Sequence, residues 1–284
     1  MAGTLFVVAT PIGNLDDISA RALRVLSEVS LIAAEDTRRT NHLLQRFGLT
    51  TRSTSFHEHN AASKGPSLLD RLRAGESIAL VSDAGTPGIS DPGQELVALA
   101  LDAGVQVTPI PGPSALTAAL SVCGLPGDGF VFLGFPPSKG PPRNAWFDRF
   151  RAAAAVVPLV VFYEAPHRIV KTMDELGGRF GRLRVFVGRE ISKIHESLVQ
   201  SYLTEFVASE VIGEFVVIVE IGELTKHTDP GTAPTPVSMH LEFGEMTENM
   251  GRTRRQAIAA LSRKYRISAR DVYALVEAGK KSPV

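Results

Sequence analysis

Short apolar runs alternate with amphipathic stretches through the first half of the chain. Residues 4–9, 31–34, 77–80 and 105–110 are short, apolar and rich in branched side chains, which predicts buried strands. Residues 50–56 predict a further strand. Between these runs, apolar positions recur at helical spacing. Ile18, Ala22, Val25, Leu26 and Val29 mark one helix, and others are expected over 40–47, 68–73, 94–101 and 115–122. Gly48 and Gly75 close two of them. Strand and helix thus alternate, the pattern of a mostly parallel sheet with helices on both faces.

The pattern changes after about residue 122. Strands are expected over 130–135, 159–163, 183–188, 196–202 and 214–221, the later ones antiparallel, with helices over 145–154 and 167–176. Residues 136–143 hold four prolines and a glycine, which reads as a mobile loop. The expected class is α/β, with domains at 1–121 and 122–224. A Pro-rich linker follows at 225–236 and a basic helical extension at 237–284. In that extension helices are expected over 252–265 and 268–278, with Ser268 and Asp271 as a capping pair. Their spacing suits either a helix-turn-helix or a solvated helical hairpin.

Residues 81–93 form the most unusual stretch. Three glycines and two prolines follow an apolar strand and precede a helix. Strand-to-helix connections usually run ~2–6 residues, and this one is about twice that. Gly and Pro there set unusual backbone angles and let a ligand approach the main chain closely. A binding loop is the favoured reading over an ordinary connection. Gly/Pro loops also follow the first strand (Pro11, Gly13) and the fifth (Pro111, Gly112, Pro113, Ser114).

Composition narrows the picture. Of 284 residues, 44% are hydrophobic, enough for a real core. No apolar run approaches the ~20 residues that span a bilayer, and residues 1–8 lack the pattern of a signal peptide. The single cysteine, Cys123, excludes an internal disulfide. Together these point to the cytoplasm and no membrane. Net charge is zero, but nine Lys/Arg against Asp271 and Glu277 after residue 249 make that tail +7 and the preceding residues −7. Such asymmetry suits a polyanion partner.

Among familiar motifs, neither G-x-G-x-x-G after a strand nor G-x-x-x-x-G-K-[ST] occurs, so a Rossmann site and a P-loop are unsupported. No serine sits in a G-x-S-x-G elbow. His57 and His59 lack an evident third ligand and read as polar cleft residues, so no metal is expected. Main-chain groups in the three Gly/Pro loops suit a ligand bearing an amine, a carboxylate and an adenine edge.

The ordered segments A-T-P-I-G-N-L, A-A-E-D-T-R, V-S-D-A-G-T-P-G-I-S-D-P-G, P-G-P-S-A, F-Y-E-A-P-H-R and G-E-F-V-V-I-V-E identify a resemblance to the tetrapyrrole-methylase superfamily. Within it the chain resembles the bacterial 16S ribosomal RNA cytidine 2′-O-methyltransferases over residues 4–222 and in the basic extension. The resemblance implies S-adenosylmethionine in a cleft between two α/β domains. It implies methyl transfer to a cytidine ribose (cytidine-1402) of 16S rRNA in the small ribosomal subunit, and a homodimer. Tetrapyrrole members typically carry Gly-Asp-Pro where this chain has Gly85, Thr86 and Pro87, which counts against a porphyrin substrate. Tetrapyrrole methylation and non-catalytic RNA binding remain the competing readings.

By position, the resemblance assigns cofactor contacts to Pro11, Ile12, Gly13, Asp83, Ala84, Gly85, Thr86, Ile89, Ser114 and Ala115, and from the second domain to Phe162, Tyr163, Gly213 and Glu214. A ribose 2′-hydroxyl is a poor nucleophile, so a base is expected. Glu35, Asp36, Glu164, Glu190 and Lys193 are the candidates, Lys193 only if its surroundings depress its pKa. Arg38, Arg39, Arg168, Lys139, Arg143 and the tail residues Arg252, Arg254 and Arg255 are the expected RNA contacts.

Overall fold

The computed structural model describes residues 2–208, 210–222, 235–249, 252–265 and 268–280. The chain divides into one compact unit, Met1–Leu224, and a second, Thr225–Val284. The expected linker lies almost wholly outside the described residues.

The first unit contains two five-stranded sheets. One is built from β1 (Thr4–Val8), β2 (Leu31–Ala34), β3 (Ser53–Ser55), β4 (Ile78–Val81) and β5 (Gln106–Ile110), in the order β3-β2-β4-β1-β5. Every pairing in it is parallel. β2 and β4 are buried throughout, with Leu31, Ala33, Ile78 and Leu80 in one core layer and Ile32, Ala34, Ala79 and Val81 in the other. A parallel sheet covered on both faces needs that near-continuous apolar character. Helices α1 (Ala20–Glu28), α2 (Thr37–Arg46), α3 (Ala61–Arg73) and α4 (Gln94–Asp102) connect the strands. Ser19 and Asp36 cap α1 and α2 by accepting from Ala22 N and Arg38 N. Helix α3 begins seven residues before its expected start, because Pro66 lies within its first two turns rather than ending it.

The second sheet comprises β6 (Phe130–Phe132), β7 (Leu159–Glu164), β8 (Arg184–Arg189), β9 (Ser197–Tyr202) and β10 (Phe215–Glu220), in the order β6-β7-β10-β8-β9. β6 pairs parallel to β7, and the remaining pairings are antiparallel. Helices α6 (Gly140–Ala153) and α7 (Ile169–Phe180) cover one face around Trp146, Phe150, Met173 and Leu176. The other face receives α5 (Ala115–Val122), whose Leu116 and Ala119 pack on Val161, Phe186 and Ile218. The expected mobile loop is shorter than 136–143. Residues 140–143 form the first turn of α6, where proline's missing N–H costs nothing.

Alternation along β7 corrects one expectation. Val160 and Phe162 face the α6–α7 layer, whereas Val161 and Tyr163 face the other. Phe162 is fully buried with its ring 5.2 Å from Trp146, so it is a core residue rather than a cofactor contact.

In the second unit, α8 (Pro236–Gly244), α9 (Arg254–Tyr265) and α10 (Ala269–Gly279) share a small core of Met239, Phe243, Ala257, Leu261, Val272 and Val276. Sequence periodicity anticipates α9 and α10 but not α8. Ser268 caps α10 by accepting from Asp271 N at 3.1 Å. Among the described residues no helix is long and apolar enough to cross a membrane.

Phe162→Ala is expected to destabilise the fold by about 3–5 kcal/mol, the usual cost of deleting a buried phenyl ring. Chemical denaturation checks this, and an unchanged midpoint would contradict its core assignment.

Candidate functional site

Parallel pairing places the loops after β1, β2, β4 and β5 along one edge of the first sheet, where open α/β sheets bind ligands. β1 and β4 are neighbours in it, and their loops are joined by a two-bond bridge. Thr10 N donates to Gly85 O at 2.8 Å, and Gly85 N donates to Thr10 O at 3.0 Å. The buried Thr10 hydroxyl donates to Ser82 O at 3.2 Å. Gly85 has φ of 83°, a conformation that costs a side chain about 1–2 kcal/mol. Thr86 Oγ1 donates to Pro113 O at 3.4 Å, drawing in the loop after β5.

The second sheet supplies the facing wall through Tyr163, residues 214–216 and the β8–β9 connection. That connection folds onto the β1 loop: Asn14 N donates to Ser192 Oγ at 3.1 Å, and the same hydroxyl meets Asp17. A Cβ on Gly13 would lie 2.4 Å from Lys193 Cγ, so only glycine permits this approach. Between the walls lies a cleft of about 360 Å³. It collects Ile12, Asp83, Ala84, Gly85, Thr86, Ile89, Ser114, Ala115, Tyr163 and Glu214 from the expected cofactor contacts. Pro11 and Gly13 line an adjoining cavity with Asp36, Arg38, Arg39 and His42.

Residues 4–207 match the family described as Tetrapyrrole (Corrin/Porphyrin) Methylases. The chain belongs to that family. It is 50% identical over 225 residues to Ribosomal RNA small subunit methyltransferase I of Pseudomonas aeruginosa, covering 77% of this chain and 79% of that one. The protein of the same name from Synechocystis sp. is 42% identical over 278 residues, covering 96% and 97%. Among solved structures, the methyltransferase CobJ aligns with a TM-score of 0.59 at 21% identity, over 77% of this chain and 94% of its own. Uroporphyrin-III C-methyl transferase from Thermus thermophilus, complexed with S-adenyl homocysteine, aligns with a TM-score of 0.55 at 21% identity, over 78% and 100%. At that identity the likeness establishes the methylase fold.

In this methylase the candidate bases have different surroundings. Arg38 hydrogen-bonds the Asp36 side chain and holds its carboxyl at about 2, so Asp36 is a helix cap and a poor proton acceptor. Lys193 donates to Glu190 at 2.8 Å and Glu214 at 3.1 Å. Burial works to lower the Lys193 pKa, but these two carboxylates outweigh it and raise it. Lys193 therefore stays protonated, because its neighbours are anions rather than the cations a lysine base needs. Burial likewise works to raise the Glu190 carboxyl, and Lys193 with the Glu214 amide holds it below the usual range.

Glu164 is fully buried and saturated. It accepts from Ala165 N at 2.8 Å, Arg168 Nε at 2.7 Å and Thr172 Oγ1 at 2.6 Å. Arg168 also donates to Pro136 O. Arg143 is buried too, donating to Glu175 at 2.8 Å, Thr172 Oγ1 at 2.9 Å and Pro137 O at 2.8 Å. This continuous chain of charge-assisted bonds clamps residues 136–143 to β7 and α7. Glu164 lines the cleft, yet these three donors occupy its carboxylate, and Arg143 and Arg168 direct donors expected to meet RNA at interior partners. Sequence alone shows such arginines as free cations beside prolines.

Glu35 remains at the cleft, where its carboxylate accepts from Asp83 N at 3.1 Å. Asp83 in turn accepts from Asp36 N at 3.0 Å and pairs with Arg39 at 3.5 Å. Gly213 stands behind the wall with φ of 89°; a Cβ there would lie 2.4 Å from Glu190. Arg38, Arg39, Lys139, Arg252, Arg254 and Arg255 are exposed, Arg254 pairing with Glu277 at 3.2 Å. Six cleft residues escape the sequence reading, Ser90, Asp91, Phe135, Ile191, Phe215 and Val216. Asp91 sits in the Gly/Pro loop itself, and the signal was an acid within that loop. Among the described residues no cluster of three or more His, Cys, Asp or Glu could hold a metal ion.

Glu164→Ala is expected to lower stability by about 3–5 kcal/mol, because it strands a half-buried arginine. Thermal unfolding tests this, since loss of activity with unaltered stability would instead indicate a chemical role.

Proposed function

We propose that this chain transfers a methyl group from S-adenosylmethionine to the 2′-hydroxyl of a cytidine ribose in 16S rRNA, at cytidine-1402. One observation carries the reading: similarity to Ribosomal RNA small subunit methyltransferase I of Synechocystis extends over 96% of the chain, basic extension included. The fold neighbour from Thermus thermophilus was solved with S-adenyl homocysteine, and the cleft here suits the corresponding cofactor. Its volume lies in the range of small-ligand sites. Backbone groups around Gly85 can meet a purine edge and an amino-acid moiety, and the acidic residues of the cleft lining, Asp91 of the Gly/Pro loop among them, complement a sulfonium and an amine.

When bound, the cofactor supplies a methyl group already activated by sulfonium charge. The protein's share of the work is then largely orientation. Glu35 and Asp83, tied to each other's loops, hold the β2 and β4 connections at a set spacing. Arg38, Arg39 and His42 line the adjoining cavity and suit the phosphates flanking a ribose that enters the cleft. Lys139 and the exposed arginines of the second unit, Arg252, Arg254 and Arg255, add sequence-independent attraction to RNA. Thr86, in place of an acid, favours RNA over a tetrapyrrole substrate. The same reading extends to a homodimer acting in the cytoplasm on the small ribosomal subunit.

A tritiated-methyl assay with ribosomal small subunits and with free porphyrin precursors tests the proposal. Label is expected in 16S rRNA alone, on a ribose oxygen; label in the porphyrin, or in neither, overturns it. Asp83→Ala is expected to weaken S-adenosylhomocysteine binding at least ~10-fold by releasing the β2 and β4 loops, as read by calorimetry. Replacing Arg252, Arg254 and Arg255 with Glu is expected to weaken rRNA binding and flatten its salt dependence, while cofactor affinity stays unchanged.

A further inference from the structure

Residues 133–139 join β6 to α6, and burial along them breaks at one position. Leu133 and Pro136 are buried, whereas Phe135 between them is 51% exposed. Its ring also lines the cleft and meets Tyr163 with centroids 5.4 Å apart. Tyr163 lies further in, meeting Ser114 and the Leu116 main chain at the start of α5. Phe135 therefore marks the mouth. Across that mouth stands the Gly/Pro loop, since a Cβ on Gly134 would lie 3.6 Å from Ser90 Oγ.

The backbone on both sides of Phe135 is fixed at three carbonyls. Tyr163 N donates to Gly134 O at 3.1 Å, Arg168 to Pro136 O at 2.6 Å and Arg143 to Pro137 O at 2.8 Å. Glu164 and Thr172 brace those two arginines from within. Taking such charges out of water is costly, and what the network holds in place is the segment that presents this one ring. A cofactor in a cleft of this kind is buried over most of its surface, so a ring half open to solvent serves the reactant that enters last. Four residues on, Lys139 is exposed. An aromatic face beside a cation suits an unpaired nucleotide, the base on the ring and a phosphate on the ammonium.

We propose that Phe135 is a stacking platform for the acceptor: its ring packs on the base of the nucleotide whose ribose enters the cleft. The inference rests on the rRNA methyl-transfer reading above and adds a contact that reading lacks. Base and 2′-hydroxyl sit on adjacent carbons of one sugar, so fixing the base at the mouth restricts where the hydroxyl can lie in the cleft. The base must leave its own stack to reach the ring, which selects a single-stranded or everted nucleotide over a paired one. Every base has a π-face, so Phe135 holds the nucleotide without choosing cytosine. The buried Arg143–Glu164–Arg168 network then has a purpose at the surface, because a stack demands a ring that does not move.

The test uses the full chain with small ribosomal subunits as acceptor, and compares Phe135→Ala, Phe135→Leu and Phe135→Tyr. Phe135→Ala is expected to lower kcat/KM about 10-fold or more, within the range that a lost base–aromatic stack spans. Its affinity for S-adenosylhomocysteine by calorimetry should stay within about 3-fold of wild type. The slope of log kcat/KM against log salt should not change, because no phosphate contact is lost. Phe135→Tyr keeps a π-face and should retain transfer within about 3-fold, whereas Phe135→Leu fills the space without one and should behave like alanine. If Phe135→Ala does not melt cooperatively, the tyrosine and leucine variants decide. Wild-type kcat/KM in Phe135→Ala or Phe135→Leu overturns the inference alone. So does loss of S-adenosylhomocysteine binding, which would make the ring a cofactor contact. A changed mass by light scattering also overturns it, by making the ring a contact between copies. A wild type that methylates no rRNA defeats the functional reading and this inference with it.

Discussion

The bridge between Thr10 and Gly85 is the constraint on which the site depends. Two reciprocal backbone hydrogen bonds join the loops after β1 and β4, strands that pair in space although some seventy residues separate them. Gly85 can form the bridge because its left-handed φ carries no side-chain penalty. Without the bridge, residues 82–93 would be a long free connection. With it, Asp83, Thr86 and Asp91 become fixtures of one wall, and Ile12 from the other loop packs beside Gly85. The β8–β9 connection then rests on the same β1 loop through Asn14 and Gly13, which sets the width of the cleft.

Electrostatics inside the first unit follows a division of labour. From Glu164 at the cleft wall inward, Glu164, Thr172, Arg143, Arg168 and Glu175 satisfy one another in a network that clamps the proline-rich segment in place. At the cleft, Lys193 neutralises Glu190 and Glu214, and Arg39 serves Asp83. What remains is net negative charge facing the space a cationic cofactor fits. Exposed arginines lie on the rim of the adjoining cavity and, separately, on the helical second unit, whose own small core gives them a folded support.

Strand positions, helix alternation and the three Gly/Pro loops were legible in the sequence, because period and backbone-restricting residues act locally. The same local logic misread two segments. Pro66 and the Pro141–Pro142 pair look like helix breakers, yet the pair sits in the first turn of α6, where N–H groups have no helical partner, and α3 carries Pro66 as its sixth residue at the loss of one backbone hydrogen bond. Helix α8 escaped notice because residues 236–244 have weak amphipathic spacing, and their burial comes from Met239 and Phe243 meeting two later helices.

For the site, the sequence by itself determined which loops carry it, the family, and most of the lining residues. Those are properties of ordered motifs and strand ends. Tertiary structure alone decided which charges are free. Arg143, Arg168, Glu164 and Lys193 read identically to solvated charges along the chain, and only their partners, up to about thirty residues away, consume them. Phe162 and Tyr163 are adjacent in sequence, but strand geometry sends one into the core and the other to the cleft. Asp91 lies within the Gly/Pro loop motif, but its raised pKa arises from burial and then from Glu35, Glu214 and its loop neighbour Asp83. Charge state depends on distance in space, and a linear sequence does not contain that distance.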